Sequence, residues 1–228
     1  MNNERTIALL GQATMTRLEQ ARVILFGVGG VGGWCAEALV RTGIAHLTIV
    51  DCDVVNTSNI NRQVVALANN VGEAKVEEMK KRLLAINPQA DIVAIHQKYI
   101  PQTAGELTHP AFDFNQYDYV IDAIDSLDCK ADLIYRATQS SATLFSSMGA
   151  ARKMDVSQIK TAEFWKVNGC PLARALRTRL KKEKKLPAKK FQCVYSPELS
   201  ADSGTIAPVV GVFGFMLAGL VIEDVMKK

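Results

Sequence analysis

Arg22-Val23-Ile24-Leu25-Phe26-Gly27-Val28-Gly29-Gly30-Val31-Gly32 is the stretch that decides the fold. Its apolar block ends on a glycine, the profile of a strand buried on both faces of a parallel sheet. Val31 to Thr42 then takes up helical spacing and stops at Gly43, where a glycine accepts the left-handed cap conformation. His46 to Val50 is a second apolar run, closed by Asp51, so strand, helix and strand make one βαβ unit. Working outward, Glu73 to Ile86 reads as a helix ending before Asn87-Pro88, and Asp91 to His96 as a strand. Tyr119 to Ile121 and Ala142 to Ser146 read as strands flanking a helix from Leu127 to Ser140. This alternation predicts an α/β fold, a Rossmann-like, mostly parallel sheet with helices on both faces.

After Gly149 the alternation weakens. Gln158 to Trp165 resembles an edge strand, Pro171 to Lys184 an amphipathic basic helix, and Phe191 to Tyr195 a short strand. Ile206 to Ile222 is an uncharged stretch at the lower limit of the ~17 to 25 residues that span a bilayer. It carries Pro208, Gly211, Gly214 and Gly219, and small residues favour close packing in membranes and soluble interfaces alike. Because a sheet of this size needs a covering element, it is read as a buried or dimer-interface helix, and no membrane partner is expected. The organisation expected is one domain, with a nucleotide-binding core over residues 1–150 and a substrate-binding and dimer-interface extension over 151–228.

Of the 228 residues 48% are hydrophobic and 22% charged, which excludes disordered, collagen-like and coiled-coil descriptions of the whole. Five cysteines without a Cys-x-x-Cys pair argue against a disulfide framework or a zinc knuckle. With no apolar signal region at the N-terminus, a cytoplasmic location is expected. The net charge of +4 hides an asymmetry: residues 174–190 hold nine basic side chains against Glu183, a local +8 that leaves −4 for the rest. Arg174, Arg177, Lys181, Lys182, Lys184 and Lys185 are therefore candidate RNA-binding residues; the alternative is a solvated helix face.

Gly27, Gly29, Gly30 and Gly32 fall between a predicted strand and a predicted helix, which lets the backbone approach a ligand and offers helix N–H groups to an anion. Asp51, 19 residues after Gly32, stands where a carboxylate accepts both hydroxyls of a ribose. These features suit NAD and ATP equally. Asn59, Arg62, Gln63 and Lys75 supply more positive charge than a nicotinamide cofactor uses, and favour a triphosphate under attack. Asp125 and Ser126, with Asp122, add a carboxylate at a further strand tip that can hold Mg²⁺. Asp53 either caps the loop or joins the nucleotide edge. No Gly-x-x-x-x-Gly-Lys-Ser/Thr loop occurs.

Taken together, Gly27 to Gly32, Asp51-x-Asp53, Asn59-x-x-Arg62-Gln63, Gly72-x-x-Lys75 and Asp122-x-x-Asp125-Ser126 resemble the adenylation motifs of the ubiquitin-activating-like superfamily. That resemblance implies attack of a substrate carboxylate on the α-phosphate of ATP, giving an acyl-adenylate and pyrophosphate. It assigns Asp51 to the ribose, Asn59, Arg62 and Lys75 to the phosphates, Asp125 to Mg²⁺, and Arg5 to the phosphates of a homodimeric partner. Val31 to Gly43, Asp155 to Ile159 and Pro171-Leu172-Ala173-x-x-Leu176-Arg177 resemble the branch of threonylcarbamoyladenosine dehydratases. This implies tRNA as substrate and a cysteine-desulfurase/sulfur-acceptor system as a possible partner. The alternatives are adenylation of a sulfur-carrier protein and an NAD-dependent oxidoreductase. The zinc Cys-x-x-Cys pairs common in sulfur-carrier activators are missing, and Ser196 to Thr205 is short where longer dehydratases carry an insertion. Cys170 and Cys193 are weighed as candidate thiols and their chemical role is left open, although cyclisation needs no enzyme nucleophile because the modified base carries its own ureido nitrogen. His46, His96 and His109 are read as surface or strand-end residues, and Trp34 and Trp165 as packing residues.

Overall fold

A computed structural model describes residues 3–101, 112–199, 201 and 203–228; His109 lies outside them. Two short helices, α1 (Glu4–Leu10) and α2 (Gln12–Gln20), precede β1 (Arg22–Phe26), α3 (Gly30–Thr42), β2 (His46–Asp51), α4 (Lys75–Ile86) and β3 (Asp91–His96). After them come β4 (Tyr119–Asp122), α5 (Leu127–Gln139), β5 (Thr143–Ser147), β6 (Lys160–Glu163), α6 (Pro171–Lys182), β7 (Gln192–Tyr195) and α7 (Ala207–Lys227). The strands form one sheet in the order β3-β2-β1-β4-β5-β7-β6, parallel except for β6, which pairs antiparallel with β7. The expected edge strand is thus real but shorter than its apolar run: turns of 3-10 helix at Val156–Gln158 and Phe164–Lys166 close it at both ends.

Side-chain alternation along the strands builds two cores. From β1, Val23 and Leu25 enter a core with Met15, Leu39, Met79 and Phe213, on the face covered by α2, α3, α4 and α7. Ile24 and Phe26 enter the other, with Ile134, Leu176 and Leu180 of α5 and α6. Burial on both faces is why β1 and β4 read as continuous apolar runs.

The uncharged C-terminal stretch forms α7, the one helix among the described residues long and apolar enough to cross a membrane. Here it is a core helix against α3, burying Val209, Phe213, Leu217 and Val221. At Gly214 the two backbones come so close that a Cβ would sit 2.5 Å from the Val31 carbonyl oxygen. Near its C-terminal end the Tyr119 hydroxyl donates to Asp224 at 2.9 Å and accepts from Lys228 at 3.0 Å. Burial, ahead of Asp224, pushes this phenol up to about 12.

Candidate active site

The chain leaves β1 to build β2 and β3 on one side, then returns to place β4 on the other. Open α/β sheets bind ligands in the crevice at the carboxyl ends of strands arranged this way. A cleft of about 720 Å³ lies there, of the size that holds a nucleotide. Its floor is the glycine turn. Gly27 has φ +86°, and a Cβ there would lie 2.8 Å from the Ala123 carbonyl oxygen. Gly29 and Gly30 face the cleft at the start of α3, whose first-turn N–H groups point toward it. Gly32 corrects the expectation of a ligand contact. It does not line the cleft, and its added Cβ would fall 1.7 Å from the Gly27 oxygen, so it lets helix and strand pack.

One wall comes from the loop after β2. Asp51 is half-buried; its Oδ2 accepts from the Val28 amide at 2.8 Å and its Oδ1 from the Asp53 amide at 2.9 Å, leaving further lone pairs toward the cleft. Lys75, 4% exposed at the first position of α4, extends its ammonium to Asp53 Oδ2 at 2.7 Å. A bridge between Val54 and Ala74 holds that helix start against the loop. Arg62 lines the cleft with Nη1 donating to the Ser58 carbonyl at 2.7 Å and to Asn61 at 2.9 Å. Gln63 is buried beside the glycine turn, and its Oε1 has no hydrogen-bond partner among the described residues. Asn59 does not line the cleft; its Oδ1 accepts from the Asn56 amide at 3.0 Å and closes the short turn that carries Arg62.

The opposite wall is the β4–α5 turn, where Asp125 and Ser126 are exposed to the cleft. Asp122, expected among the cleft carboxylates, is instead fully buried beneath it, paired with an equally buried Lys130 at 2.8 Å and accepting from Ser146 at 2.7 Å. The pair grips the turn: the Ile124 amide donates to Asp122 at 3.1 Å, and its carbonyl accepts from Lys130 at 2.9 Å. Lys130 and the cleft-lining Lys98 were not anticipated; a lysine inside an amphipathic helix carries no sequence signal of burial.

For a divalent cation the donors divide clearly. Asp51, Cys52 and Asp53 bring potential ligand atoms within 4.8 Å of one another. Yet Asp53 is paired with Lys75, each Asp51 oxygen already holds one amide, and burial, then Asp53 and Asp51, push the Cys52 thiol up, away from a ligand form. Asp125 has no internal ion pair among the described residues and offers hard oxygen donors, which suit Mg²⁺. Cys170 and Cys193 are buried, and burial holds the Cys193 thiol well above its ordinary value, so neither is an exposed nucleophile.

Arg5 sits on α1, none of whose residues is buried, and does not line the cleft of its own chain. On the basic helix the six expected RNA contacts separate. Arg177 turns inward, its Nη1 donating to the carbonyls of Phe164, Trp165 and Val167 at 3.0, 3.3 and 2.8 Å; this corrects its assignment to a free basic face. Lys185 leans toward Asp132 at 3.6 Å, whereas Arg174, Lys182 and Lys184 are exposed and have no ion pair among the described residues. Lys181 lies over the ring of Trp165, which is 40% exposed and packs edge-on against Phe164. Trp34 is the packing residue expected, wedged against Phe215 with its Nε1 on the Arg62 carbonyl.

A doubly wound sheet whose glycine turn, ribose-height carboxylate and paired lysine converge on one cleft defines a nucleotide-binding α/β protein. The chain belongs to the ThiF family, whose profile matches residues 2–228. It is 38% identical to a tRNA threonylcarbamoyladenosine dehydratase of Bacillus subtilis over 76% of this chain and 66% of that protein, just under two thirds of the relative's length. To the dehydratase of the same name from Haemophilus influenzae it is 32% identical over 94% of this chain and 89% of that one. Its fold matches the crystal structure of the Escherichia coli enzyme TcdA in complex with ATP, with a TM-score of 0.88 at 34% identity, covering 98% of this chain and 93% of that chain.

Proposed function

We propose that this protein is an ATP-dependent tRNA threonylcarbamoyladenosine dehydratase that activates the threonyl carboxylate as an adenylate, releasing pyrophosphate, and then lets it cyclise with loss of AMP. The observation that carries the reading is the match of nearly the whole chain to a dehydratase solved with ATP, over a cleft that holds an aspartate at ribose height and a buried lysine beside it. In this reading Asp51, fixed by two amides, receives the ribose hydroxyls. Arg62 and Lys75 steady the charge that grows on the phosphates as the carboxylate oxygen attacks. The α3 N-terminus adds its partial positive charge. Asp125 holds Mg²⁺, which supplies charge neutralisation at the phosphates.

The ring closes without an enzyme nucleophile, since the ureido nitrogen and the activated carbonyl belong to the same residue. Arg5 serves the neighbouring subunit of a homodimer. The unburied α1, with Leu9 82% exposed, supports that placement. The test is mass spectrometry of nucleosides from threonylcarbamoylated tRNA incubated with protein and ATP. One water should be lost from the modified nucleoside, with AMP and pyrophosphate as co-products; an unchanged nucleoside, or ADP in place of AMP, would overturn the reading.

A further inference from the structure

Beside the cleft lies a second hollow of about 400 Å³, between the first turn of α5 and the outer face of α6. Leu127, Pro171 and Ala175 make its floor, and Arg174, Thr178 and Lys182 follow one another along one stripe of α6 at helical spacing. The opposite stripe, Ala173, Leu176 and Leu180, is buried in the core, so this face points outward by construction. Arg174 and Lys182 have no ion pair among the described residues. The other cation of the hollow, Arg179, is tied to Asp128 at 3.1 Å and to Glu183.

The hollow shares its rim with the cleft. Leu127 follows Ser126, and Pro171 precedes Leu172; Ser126 and Leu172 both line the cleft. A polymer whose reacting residue sits in the cleft must leave over a rim, and this one leads onto an apolar floor between two free cations. The combination fits a single-stranded nucleotide, whose base seeks an apolar or aromatic face and whose phosphate seeks a cation. The two cations stand eight residues, about 12 Å, apart along the helix, so they meet different phosphates.

We propose that the α5–α6 hollow is a nucleotide subsite that holds the base adjacent to the modified adenosine, with Arg174 and Lys182 on the flanking phosphates. The inference rests on the dehydratase reading of the cleft and adds the part of the RNA that is read beside it. The test uses stem-loop RNAs carrying threonylcarbamoyladenosine, either intact or with an abasic nucleotide on its 5′ or its 3′ side. Affinity is measured by fluorescence anisotropy, which needs no turnover. One of the two abasic RNAs should bind about 5- to 150-fold more weakly than the intact RNA, the range of a single lost base stack.

Ala175→Phe, which fills the hollow, and Thr178→Glu, which places a negative charge on its rim, should weaken the intact RNA similarly and abolish the difference between intact and abasic RNA. Arg174→Ala with Lys182→Ala should lower the salt slope by about 1.4 for two single-strand phosphates, with ATP affinity unchanged in every variant. Equal affinity for intact and abasic RNAs, or variants that still tell them apart, would overturn the subsite. AMP release with the same RNAs is read separately: RNA bound through the hollow but never dehydrated would overturn the reaction and leave the subsite standing.

Discussion

Lys130 is a lysine with no exposure at all, and its ammonium answers Asp122 in a place where water cannot. Removing one member of such a pair leaves a bare buried charge, which typically costs ~3 to 5 kcal/mol. Lys130→Met should therefore destabilise the protein by about that amount in urea denaturation, and Lys130→Met with Asp122→Asn should recover much of the loss. A single variant as stable as the double would mean the charges are not coupled. Lys75 and Arg62 belong to a different category, since they face the cleft. Lys75→Ala or Arg62→Ala should each lower kcat for AMP release about 10²-fold or more, the usual loss when one preorganised stabiliser of transition-state charge is removed. Wild-type turnover in both variants would sink the phosphate assignments. The contrast marks what a sequence reveals at this scale. Asp51 and the glycine turn announce themselves because strand ends and glycines have fixed offsets, whereas Lys130 in α5 and Arg177 in α6 look like surface charges until tertiary packing turns them inward.

Elements follow the same division. β1, α3 and β2 were legible almost residue for residue because each has one period and a clear stop signal, Gly27, Gly43 or Asp51. The helices α1 and α2 carry no legible period: α1 is only seven residues long with its apolar residues bunched from Ile7 to Leu10, α2 is mostly polar, and only Gly11 separates them. Register between elements depends on contacts that no local pattern encodes. Glu37 of α3 is one, bonded to Arg41 at 2.8 Å and across to Arg82 of α4 at 2.5 Å. Burial raises its pKa, but the two guanidiniums outweigh that and hold it below the ordinary carboxylate value. A carboxylate depressed on folding contributes stability that is fully present above its unfolded pKa and fades as pH falls through the folded value. Glu37→Gln should accordingly lower Tm at neutral pH and flatten the acid limb of a stability–pH curve; parallel curves for variant and wild type would refute the role. At the α3–α7 crossing, Gly214→Val should force the helices apart and weaken ATP binding along with stability, since α3 carries the glycine turn at its start. Isothermal titration with ATP beside thermal melts would show the two falling together, and a melt loss with intact ATP affinity would uncouple α7 from the cleft.

For the whole molecule, the arrangement sets the cleft at the carboxyl edge of the sheet, bounded by the basic helix on one side and by α7 on the other. If Arg5 completes the neighbouring subunit's cleft, Arg5→Ala and Asp125→Ala proteins, each inactive alone, should regain part of the activity when mixed and allowed to exchange subunits. One interface in the mixed dimer then carries a fully intact site, and no recovery in exchanged dimers would return Arg5 to its own chain or remove it from the chemistry. The +8 segment should also make RNA affinity fall steeply with salt while ATP affinity stays nearly level. The position of α7 bears on how the molecule is made. Every strand of the sheet, and the helix that carries the glycine turn, leaves the ribosome before the residues from Ala207 to Lys227 that pack against α2, α3, β5 and β7. At ~5 to 20 residues per second, the nascent chain spends on the order of seconds with the seat of Val209, Phe213, Leu217 and Val221 open to passing chaperones and sticky neighbours.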